Sequence, residues 1–161
     1  MKAATIHELK EELTHLPAAQ LLALCLRMAR FKKENKELLT YLLFEAHDEQ
    51  AYLEHVKSFI DGQFGEIPAD HNLYFVKKSL RKILRHTNKY IRYSSDTQTE
   101  IQLLIYYCSK LKHSGIPVRK SAALTNIFQT QLKKIEKILV TLHEDLQYDY
   151  RKEVERLMHA G

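Results

Sequence analysis

Chain-breakers are what this sequence lacks. It has four glycines and three prolines in 161 residues, gathered at Pro17, Gly62–Pro68, Gly115–Pro117 and Gly161. In a helix interior glycine and proline are about 1 and 3 kcal/mol less favourable than alanine, so their scarcity leaves long stretches free to be helical. An all-β chain would instead need turn residues about every 8–12 positions. No segment alternates apolar and polar residues with a period of two, so no sheet is expected. The fold class that follows is all-α, with about six to eight helices in mainly antiparallel hairpins.

Helix starts and stops can be placed from side-chain chemistry. Thr5 and Glu8 have the spacing of a capping box, in which each side chain satisfies an orphaned amide of the other residue. Pro17 either ends the first helix or opens the second, where its missing N–H costs nothing. The second carries Leu21, Leu22, Leu24, Cys25, Met28 and Ala29, an apolar face broad enough to predict burial on more than one side. A turn at Phe31–Asn35 leads to a third helix. Asp48 can cap a fourth, with Ala51, Tyr52, Val56, Phe59 and Ile60 inward and a stop near Gly62. After the loop 62–70 comes a helix over roughly Asn72–Tyr93. Ser95 or Asp96 can cap the next, with Thr97 and Glu100 spaced as a second capping box and Ile101, Leu104, Ile105, Cys108 and Leu111 inward. From Val118 to Ala160 the helical pattern runs on without Gly or Pro, weakening at Asp145–Tyr150, where one long helix bends or two helices join.

The chain is long enough for one domain to bury about 68–70% of its unfolded surface. A single domain, 1–161, is expected, with halves 1–62 and 71–161 as the alternative division. Glu37-Leu-Leu-Thr-Tyr-Leu-Leu-Phe echoes Glu100-Ile-Gln-Leu-Leu-Ile-Tyr-Tyr. That echo leaves open two stacked three-helix units, a short solenoid-like bundle, against two buried helices of convergent composition.

Location follows from what is missing. The longest apolar run, Leu21–Leu26, falls far short of the roughly 18–20 residues that span a bilayer, so no membrane partner is expected. The N-terminus turns acidic at once and has no signal-peptide core. A cytoplasmic location is expected, with Cys25 and Cys108 as two buried thiols in a reducing compartment.

Charge singles out one segment. From His71 to Tyr93 there are seven Lys or Arg and no acid, while the rest of the chain holds 18 basic and 20 acidic residues. Lys78, Arg81, Arg85, Lys89 and Arg92 step along one helix face, flanked by Lys77 and Lys82. Leu73, Val76, Leu80, Ile83, Leu84 and Ile91 step along the opposite face. Such a helix docks one side on a core and presents the other as uniformly positive. Phosphates of a nucleic acid could meet these cations and release counterions, and Tyr74, Tyr90 and Tyr93 could offer stacking surface to unpaired bases. Against that stands a solvated face, or one neutralised by acids elsewhere such as Glu144, Asp145 and Asp149. A second candidate surface is the heptad stripe Phe128, Leu132, Ile135, Leu139, Leu142 and Leu146. It would serve either as a homodimer seam or as packing within a monomer.

Catalytic and metal chemistries find little support. Glu12 and His15 form the only Glu-x-x-His, whereas helical di-iron sites need two. No His-Glu-x-x-His, phosphate-binding glycine loop, Gly-x-Ser-x-Gly elbow or paired-cysteine motif occurs. No enzyme, cofactor or metal site is expected.

The runs Glu100-IQLLIYYCSKLK and Ser121-AALTNIFQTQLKKIEKILVTL, with Leu16-Pro17 opening the second helix, resemble small all-helical bacterial proteins in families of unknown function. The resemblance implies the helical fold and carries over no catalytic or binding residue. The expected role is a non-enzymatic interaction module binding a protein partner or polyanion, with the basic helix as its surface. A nucleic-acid-binding protein using the same helix is the alternative.

Overall fold

Thr5 and Glu8 close the capping box: the Thr5 amide donates to the Glu8 carboxylate at 2.6 Å and the Glu8 amide to Thr5 Oγ1 at 3.3 Å. They start α1 (Ile6–Thr14), and Pro17, in extended conformation, opens α2 (Ala18–Phe31). Lys32 alone separates α2 from α3 (Lys33–Thr40), which runs into a π-helical turn at Tyr41–Glu45. Asp48 caps α4 (Glu49–Gly65), accepting the Ala51 amide at 3.0 Å. There follow α5 (Leu73–Ser94), α6 (Thr97–His113), a 3-10 turn at Val118–Lys120, α7 (Ala122–Leu139) and α8 (Glu144–His159). The computed structural model describes residues 1–68 and 72–159; among them are eight α-helices and no strand. The last residues of the expected loop, Ala69 and Asp70, lie outside the described residues, as do His71 and Ala160.

The chain divides into two units, Met1–Phe44 and Glu45–Gly161, so the division falls ahead of the loop at 62–70. In the second unit α6 is the central element. Ile101, Leu103, Leu104, Tyr107, Cys108 and Leu111 are wholly buried, so α6 is apolar around most of its girth, and α4, α5, α7 and α8 pack against it. The five residues expected inward are joined by Leu103 and Tyr107. Polar ties fix the helices to one another. Tyr107 Oη donates to the Leu80 carbonyl at 3.1 Å, and Tyr52 Oη to the Tyr90 carbonyl at 2.9 Å. Glu49 accepts from both Ser94 Oγ and Thr99 Oγ1. Lys112 Nζ caps α8 by donating to the Arg156 and Leu157 carbonyls at 2.8 and 2.7 Å.

Several boundaries differ from expectation, each for a local reason. α4 continues past Gly62 to Gly65; a glycine costs a helix only about 1 kcal/mol, and Phe64 beyond it packs on Tyr107 with ring centroids 5.7 Å apart. Within α4 Leu53 is buried and Ala51 exposed. The second capping box does not form: Asp96 caps α6 by accepting the Thr99 amide at 2.7 Å, while Glu100 pairs with Lys134 at 2.7 Å. The run from Val118 onward breaks at Val140–His143, earlier than Asp145–Tyr150. There Thr141 Oγ1 donates to the Ile138 carbonyl at 2.7 Å, and the Thr141 and Leu142 amides turn to carbonyls three residues back. A threonine competing for the last carbonyls favours such a stop.

The first unit differs most. α2's broad face predicts a buried helix, yet no residue of α1, α2 or α3 is buried. Cys25 is accordingly exposed and Cys108 alone buried, correcting the expectation of two buried thiols. Three short helices enclose too little volume to cover their own apolar side chains. The echoed segments also differ in conformation: the first spans the end of α3 and the π-turn, the second continuous α6.

Candidate polyanion-binding face

Helix α5 owes its two-sidedness to spacing. Val76, Leu80, Ile83, Thr87 and Ile91 are buried, lying within roughly 80° of one another around the axis at about 100° per residue. Asn72 caps its start, accepting the Tyr74 amide at 3.1 Å. Its end is set by Ser95, whose left-handed backbone (φ 56°) lets its amide reach the Ile91 carbonyl at 2.9 Å. The helix is thus anchored on α4 and α6, and its other side is held outward along about 22 Å from Lys77 to Arg92.

On that side Lys78, Arg81, Lys82, Arg85 and Arg92 are exposed, and Lys77 and Lys89 half-exposed. Among the described residues none of Lys77, Lys78, Arg81, Lys82, Arg85 or Arg92 forms an ion pair. The acids weighed as neutralising partners do not reach them; Asp145, for one, lies 3.4 Å from His143. Lys77, Lys78, Arg81, Lys82 and Arg85 together with Tyr74 line a recess of about 370 Å³. Toward the end of α5 the character changes. Arg92 lines a separate recess of about 470 Å³ with Asp96, Glu100 and Lys134. The continuous positive field therefore runs from Lys77 to Arg85.

The aromatic residues divide in the same way. Tyr74 is 65% exposed, with Lys77 Nζ 5.9 Å from its ring centroid. Tyr90 packs edge-on against Phe59 at 5.4 Å and holds Lys89 over its ring at 5.2 Å, so it belongs partly to the core, and Tyr93 stands beside it. Sequence reasoning missed Phe75, 55% exposed and edge-on to Tyr74 at 5.3 Å. Its place three residues before Lys78 and seven before Lys82 puts it on the edge of the same face, which helical spacing could have revealed.

The heptad stripe is split by the fold. Leu132, Ile135 and Leu139 are buried in the core, whereas Phe128, Leu142 and Leu146 are half-buried. α7 ends at Leu139, so Leu142 sits in the break and Leu146 in α8. Phe128 and Leu132 also line an apolar recess of about 550 Å³ with Ile116, Val118, Leu157 and Met158. Among the described residues no three His, Cys, Asp or Glu gather in a group able to hold a metal ion, and no helix is long and apolar enough to cross a membrane. Set beside models of protein families, curated proteins and solved structures, the chain matches none of them.

Proposed function

We propose that this chain is a non-enzymatic interaction module of the cytoplasm whose working surface is the α5 face from Lys77 to Arg85, and that its ligand is a polyanion, the phosphate backbone of a nucleic acid. The observation that carries the reading is the lack of ion pairing among those cations within the described residues. Like charges three and four residues apart on a helix repel by a few tenths of a kcal/mol per pair. A face meant only for solvent relieves this with interleaved acids. A row of phosphates relieves it from outside, with the release of condensed counterions as driving force. Tyr74 and Phe75 at the edge of the row add aromatic surface for unpaired bases.

Fluorescence anisotropy with single-stranded RNA and duplex DNA across a salt series tests the reading. If the five cations of the recess each meet a phosphate, duplex affinity falls with a log–log slope of about −4.5. Replacing Arg81 and Arg85 together by Glu should abolish binding and leave the helical circular dichroism intact. No binding at low salt overturns the nucleic-acid reading, and an acidic protein surface becomes the partner to seek.

A further inference from the structure

The unit Met1–Phe44 leaves a surface that the α5 reading does not use. Twelve large apolar side chains between Ile6 and Phe44 stay exposed, among them Ile6 at 82% and Phe31 at 78%. Each such side chain is worth roughly 1.5–3 kcal/mol on full burial.

Two features of the unit complement one another. The first is α1, an exposed amphipathic helix. Ile6, Leu9 and Leu13 recur at three and four residues and so share one face. Glu8, Glu11 and Glu12 make the helix acidic against a single Lys10. α1 packs along neither α2 nor α3, since the extended Pro17 (φ −60°, ψ 150°) separates it from α2. The second feature is a recess of about 570 Å³ formed by α2 and α3. Leu26, Leu39, Leu43 and Phe44 supply its apolar lining, and Arg30, Lys33 and Lys36 its cationic rim. Among the described residues Glu12, Arg30 and Lys36 form no ion pair, and Lys33 reaches only Glu37, at 3.6 Å.

We propose that the N-terminal unit is a homodimerisation module in which α1 of one copy lies in the α2–α3 recess of a second copy, and reciprocally. A two-fold dimer needs a surface that is its own complement. An acidic apolar helix and a basic apolar recess on the same short unit meet that need. A foreign partner offering one acidic helix would fill the recess and leave α1 uncovered, whereas a second copy covers both. Burial of Ile6, Leu9 and Leu13 against Leu26, Leu43 and Phe44 of the partner copy supplies the driving force, at roughly 1.5–3 kcal/mol for each side chain fully buried. The proposal is independent of α5 and stands or falls without it.

Sedimentation equilibrium of the full chain over a wide concentration range is the test. The wild type should associate to a dimer and no further. Glu11→Lys with Glu12→Lys sets like charges against the rim and should weaken the dimer by about a hundredfold. Arg30→Glu with Lys36→Glu should do the same from the other side. All four changes in one chain restore opposite charges across both docking sites and should restore the dimer, which a merely misfolded variant would not. A monomer at every concentration overturns the proposal, as does a dimer indifferent to both reversals. A four-fold variant that stays monomeric overturns the α1-to-recess pairing.

Discussion

If the α5 face is kept positive for a ligand, the folded chain should become more stable when one of its cations is reversed. Arg85 is the position to change. It stands four residues from Arg81, three from Lys82 and four from Lys89, it is exposed, and among the described residues it has no ion pair. Arg85→Glu removes three repulsions and creates three attractions, each worth about 0.2–0.5 kcal/mol on a helix surface. The ideal sum is on the order of 1–3 kcal/mol, and side-chain ordering and solvent screening at exposed sites bring the expected gain to about 1 kcal/mol at low salt. Arginine and glutamate have nearly equal helix propensity, so the backbone adds little. Arg85→Ala, which only removes the repulsions, should gain about half as much.

Urea unfolding followed by circular dichroism measures this directly. With an m-value of about 2 kcal/mol/M, the Arg85→Glu midpoint should rise by about 0.5 M. The gain should shrink as the Debye length falls from about 30 Å at 0.01 M salt to about 3 Å at 1 M. The same substitution should weaken nucleic-acid binding, so stability and affinity move in opposite directions. A lowered midpoint at low salt would refute the reasoning, because it would mean that Arg85 has an acidic partner in the folded chain and that the face is internally neutralised.

Three further outcomes follow from the core and the cysteines. Leu104, wholly buried on α6, should lose about 2–5 kcal/mol of stability on Leu104→Ala, read from the urea midpoint. An alkylating reagent at mildly alkaline pH should add once to the native chain, at exposed Cys25. Burial pushes the Cys108 thiol up to about 12, so it should react only after denaturation; two adducts on the native chain would contradict the packing of α6. Asp61 links α4 to α6 through Lys110 at 2.8 Å and the Tyr106 hydroxyl at 2.8 Å. Burial raises its pKa, but the hydrogen bonds from Lys110 and Tyr106 and the ammonium charge outweigh this and leave it below the ordinary 3.8. A carboxyl with a lowered folded pKa adds stability above its unfolded pKa, which is lost as pH falls through the lowered value. Asp61→Asn should therefore cost under about 1 kcal/mol near neutrality, the pair being part-exposed, and should flatten the acid limb of a stability–pH profile.

The elements legible in the sequence are those decided by neighbours within one helical turn. The Thr5–Glu8 box, the Asp48 cap and the inward set of α6 depend on spacings of three or four residues, and all of them form. What sequence reading misplaced depends on partners distant along the chain. α4 passes Gly62 because Phe64 meets Tyr107, a residue of another helix. Glu100 gives up a capping role for Lys134, 34 residues on. The buried Leu53 and the exposed Ala51 depend on where α5 and α6 lie against α4, which no pattern within α4 states.

The candidate surfaces obey the same division, and it sets their order of testing. That Lys77 to Arg92 share a face is a property of one helix, and the structure places them on one side of α5. Whether the face is free is not local, because any acid in the chain could have folded onto it. Asp145, among those that could have done so, instead lies beside His143, four residues from where α7 stops. The α2–α3 recess is less legible still. Its rim residues Arg30, Lys33 and Lys36 straddle a helix break at Lys32, so no single helical spacing relates them. The apolar breadth of α2 predicted a helix buried on more than one side, and α1 and α3 do not cover it. A helix with apolar residues on several sides and none of them buried has had its cost of exposure deferred rather than removed, and the dimer proposed above is a step that would remove it.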